Sequence, residues 1–387
     1  MPRFHAPFLA LATAGIAVLA AAGSPAAHAQ GSVLLEALEQ IRQNATFVDP
    51  ATDRAQFAAD VLRGYLAGKD AHADYLLPAE LQRLKRIDGA REGGGVGMEL
   101  RRDASGSIRC FPDPAGAARR AGVLPADELL AVDGISVRGR SLSAVAAHLA
   151  GAVGTPVRLD LRQAPEEPPR RVQVTRSRLD PDTVHTARIG RQAIVRILGF
   201  SPNTRDELRS ALRALDDPDA PVVLDLRGNG GGDVHAAIDS AMLFVAQGRP
   251  LMTLVARTRR QAYVSSVPAL FERMPLVLWQ DAQTASAAEV FIAALTGNKR
   301  AESVGVRSFG KGTRQGFIEL SDGSALLLTD GHLLPPSGVP FDGLGLDASV
   351  AMDGADLATA DYLAASRTLL QRAAAPRSAA PATGVAR

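Results

Sequence analysis

The stretch Pro221–Ala237, PVVLDLRGNGGGDVHAA, decides the fold. It opens with a short apolar run that does not alternate, the pattern of a strand covered on both faces. The run gives way to Asn229-Gly230-Gly231-Gly232, where glycines let the backbone turn sharply, and the chain resumes with helical spacing in AAIDSAMLFVAQG. Strand, glycine turn and helix form one unit of an open, largely parallel sheet covered by helices. The unit recurs on both sides. QAIVRILGF precedes the helical TRDELRSALRAL upstream, and PLVLWQ precedes QTASAAEVFIAAL downstream. The expected core spans 166–355, with SALLLTDGHLLPPSG adding strand pairing at its far end.

Further out, the texture changes twice. Residues 30–91 carry apolar residues three and four apart in VLLEALEQI, AQFAADVLRGYLAG and PAELQRLKRI, so a helical region is expected. From about Gly93 come glycine and short alternating runs, with one helix-like piece, LSAVAAHLAG, giving a compact β-rich module over 92–165. APEEPPRR reads as a connector, 356–374 as a last helix, and the Ala/Pro tail 375–387 as disordered. The whole is an α/β multidomain chain. Its first residues, with Arg3 and His5, the apolar FLALATAGIAVLAAAG and Ala27-His28-Ala29, have the form of a signal peptide cut after Ala29. Export is therefore expected, most readily to a bacterial periplasm, with a signal-anchored or secreted protein as the minor readings.

Composition removes several functions. A formal net charge of +2 with acids and bases interspersed leaves no basic face for nucleic acid. Cys110 is the sole cysteine, which excludes an intrachain disulfide and a thiolate zinc site. His72, His148, His185, His235 and His332 are scattered, with no His-Glu-x-x-His helix, so no metal is expected; nor does a Gly-x-Ser-x-Gly elbow occur. Gly305-x-x-x-x-Gly310-Lys311 imitates a phosphate-binding loop but places Gly312 where a magnesium-binding hydroxyl belongs, which excludes a nucleotide. No cofactor is expected.

Two polar residues remain. Ser286-Ala287-Ala288-Glu289 fits a capping box at a helix start, and it would equally place a serine nucleophile at a helix mouth. Lys311 lies between glycines in a chain with only four lysines, Lys69, Lys85, Lys299 and Lys311, among 43 basic residues. Where arginine serves for charge, a lysine is the residue that can lose its proton when desolvated. The glycine turn before the helix offers outward amides suited to an anion or a developing oxyanion, or serves only as a tight turn.

TASAAEVFIAALTGNKRAESVGVRSFGKGTRQ resembles the nucleophile-to-lysine block of the C-terminal processing peptidases, tail-specific serine proteases with a Ser-Lys dyad and a PDZ domain. VRILGFSPNTRDEL, LDLRGNGGG, LLLTDGHLLPPSGVPFDGLGLDASV and GKDAHADYLLPAE are similar to further blocks, and GGGVGMEL through VRLDLRQ resembles the PDZ domain. The resemblance implies Ser286 as nucleophile, Lys311 as general base and Gln315 as the residue orienting the lysine. It implies an oxyanion hole from Ala287 and Gly231 or Gly232. It also implies a loop, Gly95-Val96-Gly97-Met98, that captures a substrate's terminal carboxylate. The implied partners are protein or peptide substrates with free C-termini, with any adaptor unspecified. Two departures stand out: Gly297 replaces a family acidic residue at the end of the nucleophile helix, and His332 replaces an aromatic residue. The rival reading is a non-catalytic PDZ-containing binding protein that retains the protease fold; three polar residues at these spacings argue against it.

Overall fold

A computed structural model describes residues 25–49, 51–70, 72–89, 94–103, 105–113, 116–178, 182–215, 221–354 and 357–374. Most of the expected signal peptide and the whole Ala/Pro tail lie outside these residues, and the expected cut after Ala29 falls within the first described helix, α1 (Pro25–Asn44). Among the described residues no helix is long and apolar enough to cross a membrane. The chain forms two units, 1–61 and 62–387. In the first, Glu39 of α1 pairs with Arg42 and with Arg54 at the start of α2 (Arg54–Ala67).

After α2, the second unit continues with β1 (Asp74–Leu76) and α3 (Pro78–Gly89). β2 (Gly94–Gly95), β3 (Met98–Arg102), β4 (Ile108–Pro112), α4 (Ala117–Arg120), β5 (Asp127–Val132), β6 (Ile135–Ser136), α5 (Leu142–Leu149), β7 (Pro156–Arg162), β8 (Arg170–Thr175) and β9 (Ser177–Arg178) follow. Strands β3, β4, β5, β7 and β8 make one antiparallel sheet around Cys110, Leu129, Val157, Leu159 and Leu161, all essentially inaccessible. The β-rich module thus runs past 165. β8 pairs along β7 from Pro156↔Thr175 to Leu161↔Arg170, and β9 closes on β2. APEEPPRR is the bend of a hairpin inside the module, not a connector between domains: proline and charge suit any exposed turn, and strand register decides which kind it is.

The α/β core comprises β10 (Val184–Ile189), β11 (Gln192–Ile197), α6 (Thr204–Arg213), β12 (Val222–Asp225), α7 (Val234–Ala241), β13 (Pro250–Ala256), β14 (Arg260–Val264), β15 (Leu276–Gln280), α8 (Ala287–Gly297), β16 (Glu302–Gly305), β17 (Thr313–Glu319), β18 (Ala325–Leu334), β19 (Val350–Ala351) and α9 (Thr359–Ala374). One sheet has the order β10-β11-β12-β15-β16-β19, antiparallel only between β10 and β11. Alternate residues serve its two faces. Val195, Ile197, Leu224 and Leu278 pack under α6, α7 and α8, while Val223, Val277 and Trp279 pack under α9. A second, antiparallel sheet, β1-β18-β13-β14 with β17 on β18, was foreseen only at β18. Its β1 corrects the expectation of a purely helical 30–91: Asp74, Tyr75 and Leu76 pair with Leu327, Leu326 and Ala325. Three residues are too few for a period to show.

The module is fastened to this second sheet. Asp74 of β1, fully buried, accepts from the Ser141 amide at the head of α5 (2.8 Å) and from Arg140 Nε (3.2 Å). Arg140 and Arg63 also meet the Glu80 carboxylate, at 3.0 and 2.7 Å. Burial pushes Glu80 up, but the His148 hydrogen bond and the Arg140 and Arg63 charges outweigh it and hold the carboxyl at about 2.

Candidate active site

Ser286 sits where β15 has ended and α8 begins, in a backbone conformation few non-glycine residues adopt (φ 56°, ψ −118°). Such a conformation costs on the order of 1–3 kcal/mol and persists only when its surroundings impose it. They do so here. The Ala285 amide donates to the Asn229 carbonyl (2.9 Å), and Phe309 donates to the Thr284 carbonyl (2.9 Å). Asp281 Oδ1 accepts from the Gln283 and Thr284 amides and, across the site, from the Gly228 amide (3.0 Å). The serine loop and the glycine turn are stitched together by one carboxylate.

Glu289 does more than cap a helix. It is fully buried, and its two oxygens accept from the Ser286 amide (2.8 Å), the Lys311 amide (2.8 Å), the Gly310 amide (2.7 Å) and the Ser308 hydroxyl (2.5 Å). Burial raises its pKa, and the four donors oppose that shift. A single side chain therefore holds the backbone of both the serine and the lysine.

Lys311 shares a cavity of about 330 Å³ with Ser286, Thr313, Gln315 and the apolar side chains Met252, Leu254, Phe317, Leu327 and Leu333. Its ammonium meets no carboxylate at ion-pairing distance among the described residues. Desolvation lowers its pKa, and Asp70 and Asp342 only partly restore it. A lysine so placed reaches its neutral, basic form far more readily than a solvated one. His72 joins Lys311 on the wall of a second cavity of about 120 Å³, and burial, then the Lys311 charge, lower its pKa. Gln315 donates to the Thr313 and Thr329 hydroxyls (3.1 and 3.3 Å) and lines both cavities.

The glycine turn passes against the serine. A Cβ on Gly231 would lie 2.8 Å from Ser286 Cβ, and one on Gly232 would lie 2.2 Å from the Phe200 carbonyl oxygen, so neither position admits a side chain. The Gly231 amide is taken by Asn229 Oδ1 (2.9 Å), whereas the amides of Gly232 and of Ala287, in the first turn of α8, have no hydrogen-bond acceptor among the described residues. Gly95–Met98 lies at the entry of β3, and none of its residues lines either cavity. At Gly297 a Cβ would come within 3.2 Å of Pro336, so any side chain there would press on that proline. His332 lies exposed in β18. Sequence reasoning missed His72 and Asp281 and gave Glu289 only a cap, since none carries a local pattern pointing across the fold.

This constellation can support acyl transfer: an activatable serine, a desolvated lysine and paired amides. Residues 191–352 match the model of Peptidase family S41, and residues 112–163 match a PDZ domain. The chain is 31% identical over 335 residues to the chloroplastic C-terminal processing peptidase of Tetradesmus obliquus, covering 81% of this chain and 72% of that protein. It is 30% identical to a probable CtpA-like serine protease of Staphylococcus aureus (strain COL), covering 74% of this chain and 58% of that longer protein. Among solved structures, a photosystem II D1 C-terminal processing protease superposes with a TM-score of 0.65 at 29% identity, covering 83% of this chain and 92% of that one. Matches to the family's core and to its PDZ domain, together with similarity along most of the chain, establish that this protein belongs to peptidase family S41, among the serine-type C-terminal processing peptidases.

Proposed function

We propose that the protein is an exported, periplasmic endopeptidase that cuts protein substrates recognised through their C-termini, using Ser286 as nucleophile and Lys311 as general base. The observation that carries this reading is the desolvated Lys311, without a carboxylate partner among the described residues, on the same cavity wall as a serine whose backbone is held in a rare conformation. Neutral Lys311 takes the Ser286 proton as Oγ attacks the peptide carbonyl carbon. The oxyanion is received by the Ala287 and Gly232 amides. The lysine then gives its proton to the departing amine, and the acyl-enzyme remains. Water, deprotonated by Lys311, attacks the ester carbonyl, and as the bond to Oγ breaks Lys311 returns that proton to Ser286. Gln315, beside the lysine, helps to place its amine. The apolar wall formed by Met252, Leu254 and Leu333 suits an apolar side chain at the acyl side of the scissile bond. The loop Gly95–Met98 captures the carboxylate, and the substrate adds as a strand to the PDZ sheet.

The test is cleavage of an unfolded protein and of peptides by the wild type, Ser286→Ala and Lys311→Arg. The arginine keeps charge and approximate length but cannot give up a proton. Both variants should be inactive while remaining folded. Undiminished cleavage by either rejects the dyad.

A further inference from the structure

Resting on the reading of Lys311 as general base, we infer that Asp70 is a positioning residue of the active site: acting through Thr329, it fixes the side-chain amide of Gln315 so that the oxygen, and not the NH2, faces Lys311.

The polarity of that amide decides whether the base can work. A neutral lysine amine has N–H groups to give and one lone pair with which to take a proton. An oxygen beside it accepts one N–H and leaves the lone pair for the Ser286 hydroxyl. An NH2 in the same place donates into the lone pair and occupies it. The two threonines that hold Gln315 do not choose between these states, because a hydroxyl can donate or accept. Gln315 Nε2 lies 3.1 Å from Thr313 Oγ1 and 3.3 Å from Thr329 Oγ1, and exchanging O and N in the amide would suit both hydroxyls equally well.

Asp70 breaks the tie. It lies between α2 and β1, far from Gln315 in sequence, and its carboxylate accepts from the His72 amide (2.8 Å) and from the Thr329 amide of β18 (3.1 Å). Burial raises its pKa, and hydrogen bonds from the His72 amide and from the Thr329 hydroxyl and amide more than offset that. An ionised carboxylate only accepts. The single hydroxyl proton of Thr329 therefore goes to Asp70, Thr329 Oγ1 accepts from Gln315, and the amide turns its nitrogen to the threonines. Both NH2 protons are then spent, one on each threonine, and Oε1 is left for the cavity that Gln315 shares with Lys311.

The strands are offset to make this contact. β17 and β18 begin with Thr313 opposite His332 and Arg314 opposite Gly331, a register that would bring Gln315 opposite Asp330. A shift between Arg314 and Gln315 skips one residue of β18, so Gln315 faces Thr329 instead, while Asp330 pairs with Arg314 (2.9 and 2.5 Å). Bulges recur beside active sites because they re-aim a side chain. Here the shift places opposite Gln315 a threonine, which passes on the direction of a hydrogen bond, in place of a carboxylate.

The experiment is a double-mutant cycle of Asp70→Asn and Thr329→Val in the full chain, with Thr329→Ser and Lys311→Arg alongside, on the peptide that the wild type cuts best. All are compared at a temperature where circular dichroism shows each to be folded. The Asp70 charge also acts on Lys311, raising its pKa, so kcat is read on the alkaline plateau, where the lysine is neutral with or without that charge. Each single variant should lower kcat about tenfold, the effect of one misdirected hydrogen bond, with KM unchanged within about twofold. Thr329→Ser keeps the hydroxyl and should keep the wild-type kcat. Because both residues act on one amide, the double variant should lose about tenfold and not about a hundredfold. An additive loss shows Asp70 acting apart from Thr329 and overturns the inference. So does a wild-type kcat in Asp70→Asn or Thr329→Val, or a serine variant as slow as the valine. If Lys311→Arg retains activity, the lysine base itself is rejected and the inference with it; if that variant is inactive and the cycle is additive, only the inference falls.

Discussion

Glu289 is where the active site is most exposed to a single substitution. Replacing it by alanine removes four acceptor contacts at once and strands the Ser286, Gly310 and Lys311 amides and the Ser308 hydroxyl in a buried place. Each buried donor left unpaired costs about 1–3 kcal/mol, so the sum reaches several kcal/mol, a large part of the roughly 5–15 kcal/mol that holds a domain folded. Glu289→Gln is the finer probe. The amide oxygen can keep the Ser286 and Lys311 donors, and Ser308 can turn its hydroxyl to accept from the new NH2, so that mainly the Gly310 bond is lost. Glutamine should therefore cost about 1–3 kcal/mol, and alanine at least twice that. The measurements are urea unfolding of both variants, and kcat/KM on a peptide under conditions where each variant is fully folded. Alanine should lower kcat/KM per folded molecule at least about a hundredfold, since the Ser286 and Lys311 backbones lose their tether and misplacement of about an ångström costs that much. Glutamine should lower it far less. A folded alanine variant with wild-type kcat/KM would refute the reasoning and reduce Glu289 to a helix cap.

Three other outcomes are expected. Because burial lowers the Lys311 pKa from 10.5, kcat/KM should rise with pH through an apparent value below 10.5, the protonated lysine being inactive at low pH; a profile flat across that limb argues against a lysine base. Glu80, held at about 2 against an ordinary 4.5, contributes stability that is fully present above pH 4.5 and is lost as pH falls through 2. That contribution is about 3 kcal/mol, so unfolding curves of the wild type and Glu80→Gln should draw together by about that amount between pH 5 and 2. Gly232→Ala drives a methyl into the Phe200 carbonyl at a φ of 124° and should lower thermal stability by at least about 3 kcal/mol, read by calorimetry; an unchanged Tm would contradict the close approach.

Much of this protein is written locally. The apolar runs at Val222–Asp225 and Leu276–Gln280, each followed by a helix, mark a parallel sheet because strand burial on both faces leaves an unbroken hydrophobic signature. Ser286 followed by Glu289, and Lys311 between glycines, were legible because helix starts and tight turns depend on near neighbours. The second sheet was not. β1 has three residues and β14 is largely exposed, so neither produces a clean period, and both exist through pairing with distant partners.

The sequence alone therefore determined the α/β core and the β-rich module, and it marked Ser286 and Lys311 as candidates. Only the tertiary structure decided that Glu289 ties the Ser286 and Lys311 backbones together and that the Gly231 amide is already engaged by Asn229. The hairpin identity of APEEPPRR and the shared cavity between β3 and Lys311 were also decided there. Each of these depends on which groups meet across the fold, and the shape of a buried contact has no counterpart in composition or periodicity.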